Sequence, residues 1–186
     1  MGKKKNFSTC LFELYTEELL SQERHRRMAF FKGRETFSLD SKNRIFIPKK
    51  MLIQISPEVE GILVITLGFD RCIYAYPKDE WQYYEELFRK KDQFNGKDRF
   101  FLRSLLMWAE EVKLDAQGRI TLPKDLKKES GITEKVDILG QSDHIEFWDP
   151  VVFDKYRSSR DESYEEIAAS VMGKQRQTEK MKNYYG

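Results

Sequence analysis

Two segments of the chain place an arginine four residues after an aspartate. Residues 39–48 read LDSKNRIFIP, and residues 114–123 read LDAQGRITLP. An aspartate that opens a tight turn can accept hydrogen bonds from the backbone N–H groups of that turn. An arginine presents planar, paired donors that suit a phosphate or a guanine edge. These residue types allow two interpretations: an internal ion pair that stiffens the turn, or an arginine that meets an anion.

The residue before each arginine indicates the shape of the turn. It is Asn43 in the first segment and Gly118 in the second, and these two residue types adopt positive φ more readily than others. We therefore expect a left-handed residue at this position and one backbone shape for both turns. The predicted turn-structuring residues are Asp40, Asp115, Gly118 and Arg119.

The charge around the two turns differs. Residues 32–50 carry six cations and two acids, whereas residues 107–125 carry three cations and four acids. The net charge of the whole chain is only +2, so nucleic-acid binding has to be argued from this local excess. On chemistry alone both interpretations stay open, but in the first turn Lys42, Lys49 and Lys50 tip the balance towards anion binding, with Arg34 as a further candidate DNA-binding residue. In the second turn little but the arginine is left, and the internal ion pair is favoured.

Both segments belong to a longer internal repeat. The first maps onto the second by adding 75 to each residue number, and further along Leu67 and Ile73 meet Leu139 and Ile145 at an offset of 72. A repeat of this length indicates two copies of one structural unit. We expect the three-residue difference to fall around Ser56–Gly61, where the second copy has the shorter connection.

Each copy is predicted to contain two short strands, a helix and a β-hairpin. Alternating apolar residues predict strands around Phe37–Leu39 and Ile45–Ile47, and Pro48 suits the first position of a helix over Lys49–Ile55. The hairpin strands of the first copy are predicted over Ile62–Leu67 and Cys72–Tyr76. The second copy repeats this order with Val112–Leu114, Arg119–Leu122, a helix from Lys124 to Gly131, Val136–Leu139 and His144–Trp148.

Helices are predicted between the copies and at both ends of the chain. Lys78–Lys91 and Lys97–Glu110 carry apolar stripes, and Trp81, Trp108 and Trp148 are expected in the core. Residues 8–27 are predicted to form an amphipathic helix that is an added arm or reflects an upstream start, and residues 174–180 a polar tail. The predicted domains are an arm at 1–29, a first unit at 34–80, a helical connector at 81–108, a second unit at 109–152, and C-terminal helices with the tail at 153–186.

Several classes of function find no support in the sequence. No apolar stretch approaches the roughly 20 residues of a membrane span, and Cys10 and Cys72 lack the spacing of a disulfide framework or metal site. The histidines are His25 and His144, the second expected at the surface or core edge. Neither belongs to a cluster of metal ligands, and no phosphate loop or nucleophile motif occurs. We therefore predict no enzyme, catalytic residue, metal, cofactor, small-molecule substrate or membrane partner, and a reducing cytoplasmic location.

The two motifs, in order and at this spacing, resemble the MraZ family of bacterial transcription regulators over about residues 30–157. Further matches are FKG at 31–33, YP at 76–77 and FWD at 147–149. The resemblance implies an α+β fold in which two swapped-hairpin units of the SpoVT-AbrB type form one pseudo-twofold β-barrel, with flanking and connecting helices. It assigns the DNA-reading turn to Asp40, Ser41, Lys42, Asn43 and Arg44. The family usually has glycine where this chain has Asn43.

The same resemblance implies a function and an assembly. A homo-oligomeric ring would bind direct repeats of double-stranded DNA in the promoter of the division and cell-wall gene cluster, in the cytoplasm and nucleoid. The alternative is a protein-interaction module of the same fold, as in antitoxins. Duplication of the unit within one chain favours the DNA-binding regulator.

Overall fold

The computed structural model describes residues 29–173, which fall into two compact units, one up to Asp149 and one from Pro150. The helix predicted over 8–27, Cys10, His25 and the tail predicted over 174–180 lie outside the described residues. No helix within the described range is long and apolar enough to cross a bilayer.

The first unit contains eight β-strands, four in each copy of the repeat. The strands of the first copy are β1 (Arg34–Ser38), β2 (Arg44–Phe46), β3 (Ile62–Leu67) and β4 (Ile73–Pro77). Those of the second copy are β5 (Glu110–Lys113), β6 (Arg119–Thr121), β7 (Lys135–Gln141) and β8 (His144–Trp148). The predicted order of strands in each copy is confirmed.

The two copies exchange strands. Six strands form one antiparallel sheet in the order β1-β7-β8-β4-β3-β5, and β2 pairs with β6 in a separate two-stranded ribbon. The first strand of each copy therefore pairs with the third strand of the other, since β1 lies beside β7 and β5 beside β3. Neither copy can complete the sheet alone, so the fold requires both copies of the repeat.

The pairing is symmetric about two places. The ribbon is centred on Ile45 opposite Ile120, and the β4–β8 pair is centred on Tyr74 opposite Glu146. In each pair the central residue lies opposite its own counterpart in the other copy, which is 75 positions later for β2 and β6 and 72 positions later for β4 and β8. The predicted combination of helices with an antiparallel sheet is present. A barrel closed by strand pairing is not found among residues 29–173, because the ribbon stays separate from the six-stranded sheet.

The third strand of each copy corrects the predicted alignment of the repeat. Leu63 pairs with Pro77 in the first copy, and Ile138 pairs with Phe147 in the second. Given the offset of 72 for β4, these registers require an offset of 73 between β3 and β7. One of the three extra residues therefore lies in the β3–β4 hairpin loop, and only two lie in the connection around Ser56–Gly61. Sequence identity at Leu67 and Leu139 concealed this shift.

The described chain contains several α-helices. They are α1 (Lys49–Leu52), α2 (Lys78–Arg89), α3 (Gly96–Leu106), α4 (Lys124–Ser130) and, in the second unit, α5 (Pro150–Ser158). Pro48 lies one residue before α1 with ψ 134°, so it precedes the first helical position instead of filling it. The helix predicted up to Ile55 ends at Leu52. As predicted, Gly131 terminates α4, and it does so in the left-handed conformation.

The six-stranded sheet has an apolar layer on each face. Along β3, Leu63 and Ile65 point to the face that packs with the ribbon, while Val64 points to the opposite face. The first layer is the main core and includes Ile45 and Ile120, both almost fully buried. The second layer lies beneath α2 and α3, the two helices that connect the copies, and contains Val64, Tyr76 and Trp81. Trp81 and Trp148 are buried and Trp108 packs against the core, as predicted.

Candidate functional site

The first turn is held by its own aspartate. Asp40 Oδ1 accepts the backbone N–H of Lys42 at 2.8 Å and that of Arg44 at 2.9 Å. The Arg44 Nε–H donates to Asp40 Oδ2 at 2.6 Å. Asn43 has φ 58°, the left-handed value expected from its residue type. The turn is therefore a closed, hydrogen-bonded loop that presents its exposed tip, Ser41 and Lys42, to solvent.

The second turn has the same backbone arrangement. Asp115 Oδ1 accepts the N–H groups of Gln117 and Arg119 at 2.9 and 3.0 Å, and Arg119 Nε–H donates to Asp115 Oδ2 at 2.8 Å. Gly118 has φ 77°. The prediction of one backbone shape with a left-handed residue before the arginine is confirmed. The internal ion pair is present in both turns, so it does not by itself separate the two interpretations.

Both aspartates are stabilised as carboxylates. The backbone N–H of Arg44 lowers the pKa of Asp40 most, and the Arg44 side chain and the Lys42 N–H lower it further. The Arg119 side chain lowers the pKa of Asp115 to about 2, with help from the turn's N–H groups. Each carboxylate is therefore ionised throughout the neutral range and fixes its arginine by charge-assisted hydrogen bonds.

The ribbon brings the two turns together, one at each of its ends. The backbone N–H of Leu122 donates to the carbonyl of Asn43, and the N–H of Ile47 donates to the carbonyl of Gly118, both at 2.9 Å. Arg119 also lies 3.9 Å from Asp40 Oδ2, which connects the second turn to the first. Each turn is thus fixed by the other copy of the repeat as well as by its own aspartate.

The two arginines differ in their surroundings. The side chain of Arg119 is 17% exposed, and its guanidinium lies 5.5 Å from the ring centre of Phe46 and near both Asp115 and Asp40. The side chain of Arg44 is 31% exposed and, among residues 29–173, pairs with Asp40 alone. Arg119 is the more enclosed of the two, which agrees with a mainly structural role. Arg44 leaves more of its guanidinium open to solvent.

Two of the flanking cations predicted to bind DNA lie in ion pairs of the fold. Arg34 pairs with Asp137, a carboxylate buried on β7 that also accepts the hydroxyl of Thr36. Lys50 Nζ lies 2.7 Å from Glu35 Oε1. Lys42 and Lys49 are exposed and have no acidic partner among residues 29–173. The free positive charge near the first turn is therefore smaller than the residue count suggested.

Another lysine reaches the first turn from the second copy. Lys127, on α4, donates from Nζ to Asn43 Oδ1 at 2.9 Å. This residue lies just outside the compared windows and was missed by the charge count. Adding 75 to Leu52 gives Lys127, so the aligned repeat did contain a signal: a leucine in one copy replaced by a lysine in the other.

A separate titratable cluster surrounds His144 at the start of β8, away from the turns. His144 Nδ1 lies 2.8 Å from Asp143 Oδ1, and the imidazole packs on Tyr74 and Tyr76 with ring centres 4.4 and 4.8 Å away. Burial opposes protonation, but the hydrogen bond to Asp143 and the carboxylate of Glu146, 3.6 Å from Nε2, outweigh it and raise the pKa of His144. The core-edge position expected for His144 is confirmed. Within residues 29–173 no group of three or more His, Cys, Asp or Glu side chains is placed to hold a metal ion.

The fold and the paired turns define a duplicated α/β protein whose two copies share an antiparallel sheet. The family described as "MraZ protein, putative antitoxin-like" matches the chain twice, over residues 30–104 and 105–174. These matches cover well over half of the chain and coincide with the two copies, and the chain belongs to this family. The resemblance found in the two motifs is thereby confirmed.

Proposed function

We propose that this protein is a sequence-specific DNA-binding transcriptional regulator that contacts duplex DNA through its first turn. The observation that carries the proposal is the turn itself, rigid and exposed, with the Arg44 side chain 31% exposed and Lys42 and Lys49 without acidic partners in the described chain. Ser41 and Asn43 complete the reading surface. Arg34 and Lys50 flank it and are assigned to phosphate contacts that compete with their ion pairs.

A turn on a two-stranded ribbon suits the major groove, which is wide enough for such a ribbon. The two aspartates fix the backbone before DNA arrives, so little conformational freedom is lost on binding. The second turn, with Arg119 enclosed, serves to hold the first in place. This division of roles follows the difference in exposure between the two arginines.

We propose a homo-oligomeric ring that acts on direct repeats in the promoter of the division and cell-wall gene cluster, within the cytoplasm and nucleoid. One short turn offers few base contacts, so tethered copies are needed to raise affinity. Exposed apolar side chains on and beside α3 support self-association: Phe94 is 94% exposed, Phe100 74% and Met107 70%. A surface of this kind is typical of an interaction site.

The strand exchange supports the finer architecture expected from the family. We propose that residues 34–80 and 109–152 are two swapped-hairpin units of the SpoVT-AbrB type, joined by the connector at 81–108, and that ribbon and sheet together enclose a barrel-like core. The arm at 1–29 and the segment at 153–186 are proposed to be appendages of this pair.

The second candidate is an antitoxin-like module that binds another protein. Two observations favour it: the description of the family as antitoxin-like and the exposed apolar side chains on and beside α3, which a partner could cover as well as another subunit could. In this case the turns would be structural throughout, and both arginines would act only as internal ion pairs.

Measuring the affinity for duplex DNA across a salt series separates the two candidates. Phosphate contacts release counterions, so a DNA-binding regulator loses affinity steeply as salt rises, with a slope of about −0.9 per contact. A protein that fails to bind duplex DNA even at low salt would contradict the first proposal and leave the antitoxin-like module.

A further inference from the structure

We propose that Lys127 belongs to the DNA-contacting surface of the first turn, which is therefore built from both copies of the repeat. This inference rests on the proposed function and assigns to it a residue outside the repeated motif. Lys127 lies 84 positions after Asn43, and its Nζ is 2.9 Å from the Asn43 amide oxygen. Asn43 is the left-handed residue of the turn, directly before Arg44.

The equivalent place in the second turn shows what is particular to the first. Leu52 is the counterpart of Lys127, and its Cδ1 fills the space beside Gly118, 2.7 Å from where a Cβ would lie. An apolar side chain thus covers a glycine at one end of the ribbon. At the other end a lysine is hydrogen-bonded to an asparagine. The replacement of Gly by Asn in the turn and of Leu by Lys in the helix forms a matched pair of changes across the two copies.

Lys127 keeps its charge and donors available in this arrangement. Its partner is a neutral amide, and no carboxylate within residues 29–173 forms an ion pair with it. An ammonium group has three N–H donors, and Asn43 takes one of them. The remaining donors can meet a phosphate oxygen while the amide holds the side chain at the turn.

This pairing also explains the charge at the two ends of the ribbon. Arg34 and Lys50 are occupied by Asp137 and Glu35, which reduces the first turn's positive charge. Lys127 restores one full charge beside Arg44, contributed by the other copy. At the equivalent place beside the second turn, the first copy contributes the uncharged Leu52.

The test compares Lys127→Gln with Lys128→Gln in the full-length protein, using duplex DNA that the wild type binds. Both substitutions remove one positive charge from α4, so they change net charge equally and differ only in position. Lys128 is exposed and lies on the same helix. We expect Lys127→Gln to weaken binding and to reduce the salt slope by about 0.9 for each subunit that engages DNA. Lys128→Gln should keep the wild-type slope.

Two further variants sharpen the result. Lys127→Arg retains the charge and should keep the wild-type slope. Asn43→Gly keeps the left-handed backbone but removes the amide, so adding Lys127→Gln to it should cost less affinity than in the wild type.

The outcomes separate this inference from the proposed function. If Arg44→Ala abolishes binding while Lys127→Gln, folded and of wild-type oligomer size, binds with an unchanged salt slope, Lys127 makes no DNA contact and only this inference is overturned. Equal losses for Lys127→Gln and Lys128→Gln would also overturn it, since position would then be irrelevant. If the wild type binds no duplex DNA at any salt concentration, the proposed function is lost and the inference with it.

Discussion

At the scale of single residues, the same aspartate–arginine pair serves two different ends of the ribbon. The hydrogen bonds within the turns match almost atom for atom, so the distinction lies in what surrounds each arginine. Arg119 packs beside Phe46 and approaches two carboxylates. Arg44 has one carboxylate and a larger exposed fraction. Two copies of one sequence motif can therefore differ in their surroundings, and we expect the two arginines to differ in role for that reason.

Arg44→Ala and Arg119→Ala should separate these roles. We expect Arg44→Ala to abolish or sharply weaken specific DNA binding, since one bidentate base contact is worth about 1–3 kcal/mol and is repeated in each subunit of a ring. Arg119→Ala should act mainly on stability, lowering the free energy of unfolding by about 1–2 kcal/mol. Chemical denaturation and DNA titration of both purified variants measure the two effects. If folded Arg119→Ala loses DNA binding as completely as Arg44→Ala, the asymmetry is wrong.

Gly118→Ala and Asn43→Gly test the left-handed residue of each turn. Alanine at φ 77° is strained, and its Cβ would lie 2.7 Å from Leu52 Cδ1. We expect a loss of about 1–3 kcal/mol in the free energy of unfolding. Asn43→Gly accepts φ 58° freely and should stay within about 1 kcal/mol of the wild type. Urea denaturation of both variants gives these values. Similar stabilities for the two would contradict the packing of Leu52 on Gly118.

At the scale of elements, short-range patterns predicted the strands and turns, while pairing between copies could not be read from them. Alternation and turn chemistry located β1 to β8 and the left-handed residues Asn43 and Gly118, because both depend on neighbouring residues. The offset of 73 in β3 and β7 was hidden, since matching leucines at 67 and 139 do not occupy equivalent register positions. The contact between Asn43 and Lys127 was missed because it requires knowing that α4 of one copy faces the turn of the other.

The hairpin cluster around His144 should make stability depend on pH. The raised pKa of His144 means that the folded state favours the imidazolium, which lies beside the carboxylates of Asp143 and Glu146. Asp143 also accepts a hydrogen bond from the Tyr84 hydroxyl. A group with a raised folded pKa contributes stability that is complete below its unfolded pKa, near 6.5, and is lost as pH rises through the folded value. We therefore expect the melting temperature to fall as pH increases from about 6 into the alkaline range through this group.

His144→Gln should flatten that part of the melting curve, with His25→Gln as its matched control. These are the two histidines of the chain, so each variant removes one imidazole and leaves the other. Thermal unfolding at a series of pH values measures the slope. A wild-type slope in His144→Gln, or its loss in His25→Gln instead, would show that the cluster does not control this dependence.

At the scale of the whole molecule, the two copies of the repeat share one fold but are not equivalent. Because β1 and β5 are exchanged, each copy is necessary to the sheet strands of the other. The ribbon carries one turn at each of its ends. Among residues 29–173, only the first turn combines an arginine whose side chain is 31% exposed with lysines that lack an acidic partner. Under the proposed function, a single chain would present one short DNA-contacting surface, and assembly would have to supply the rest of the affinity.

This requirement predicts that affinity depends on the phase of the DNA repeats. In the proposed ring, subunits would present their first turns at set intervals. Simultaneous contact would then gain effective concentration only when successive repeats face the same side of the duplex. Inserting roughly 5 bp, about half a helical turn, rotates the next site to the opposite side. We expect clearly weaker binding with that insertion and substantial recovery with roughly 10 bp, measured by titration of otherwise identical duplexes. Equal affinity for all spacings would contradict the fixed geometry, and a solution mass equal to one chain would contradict the ring.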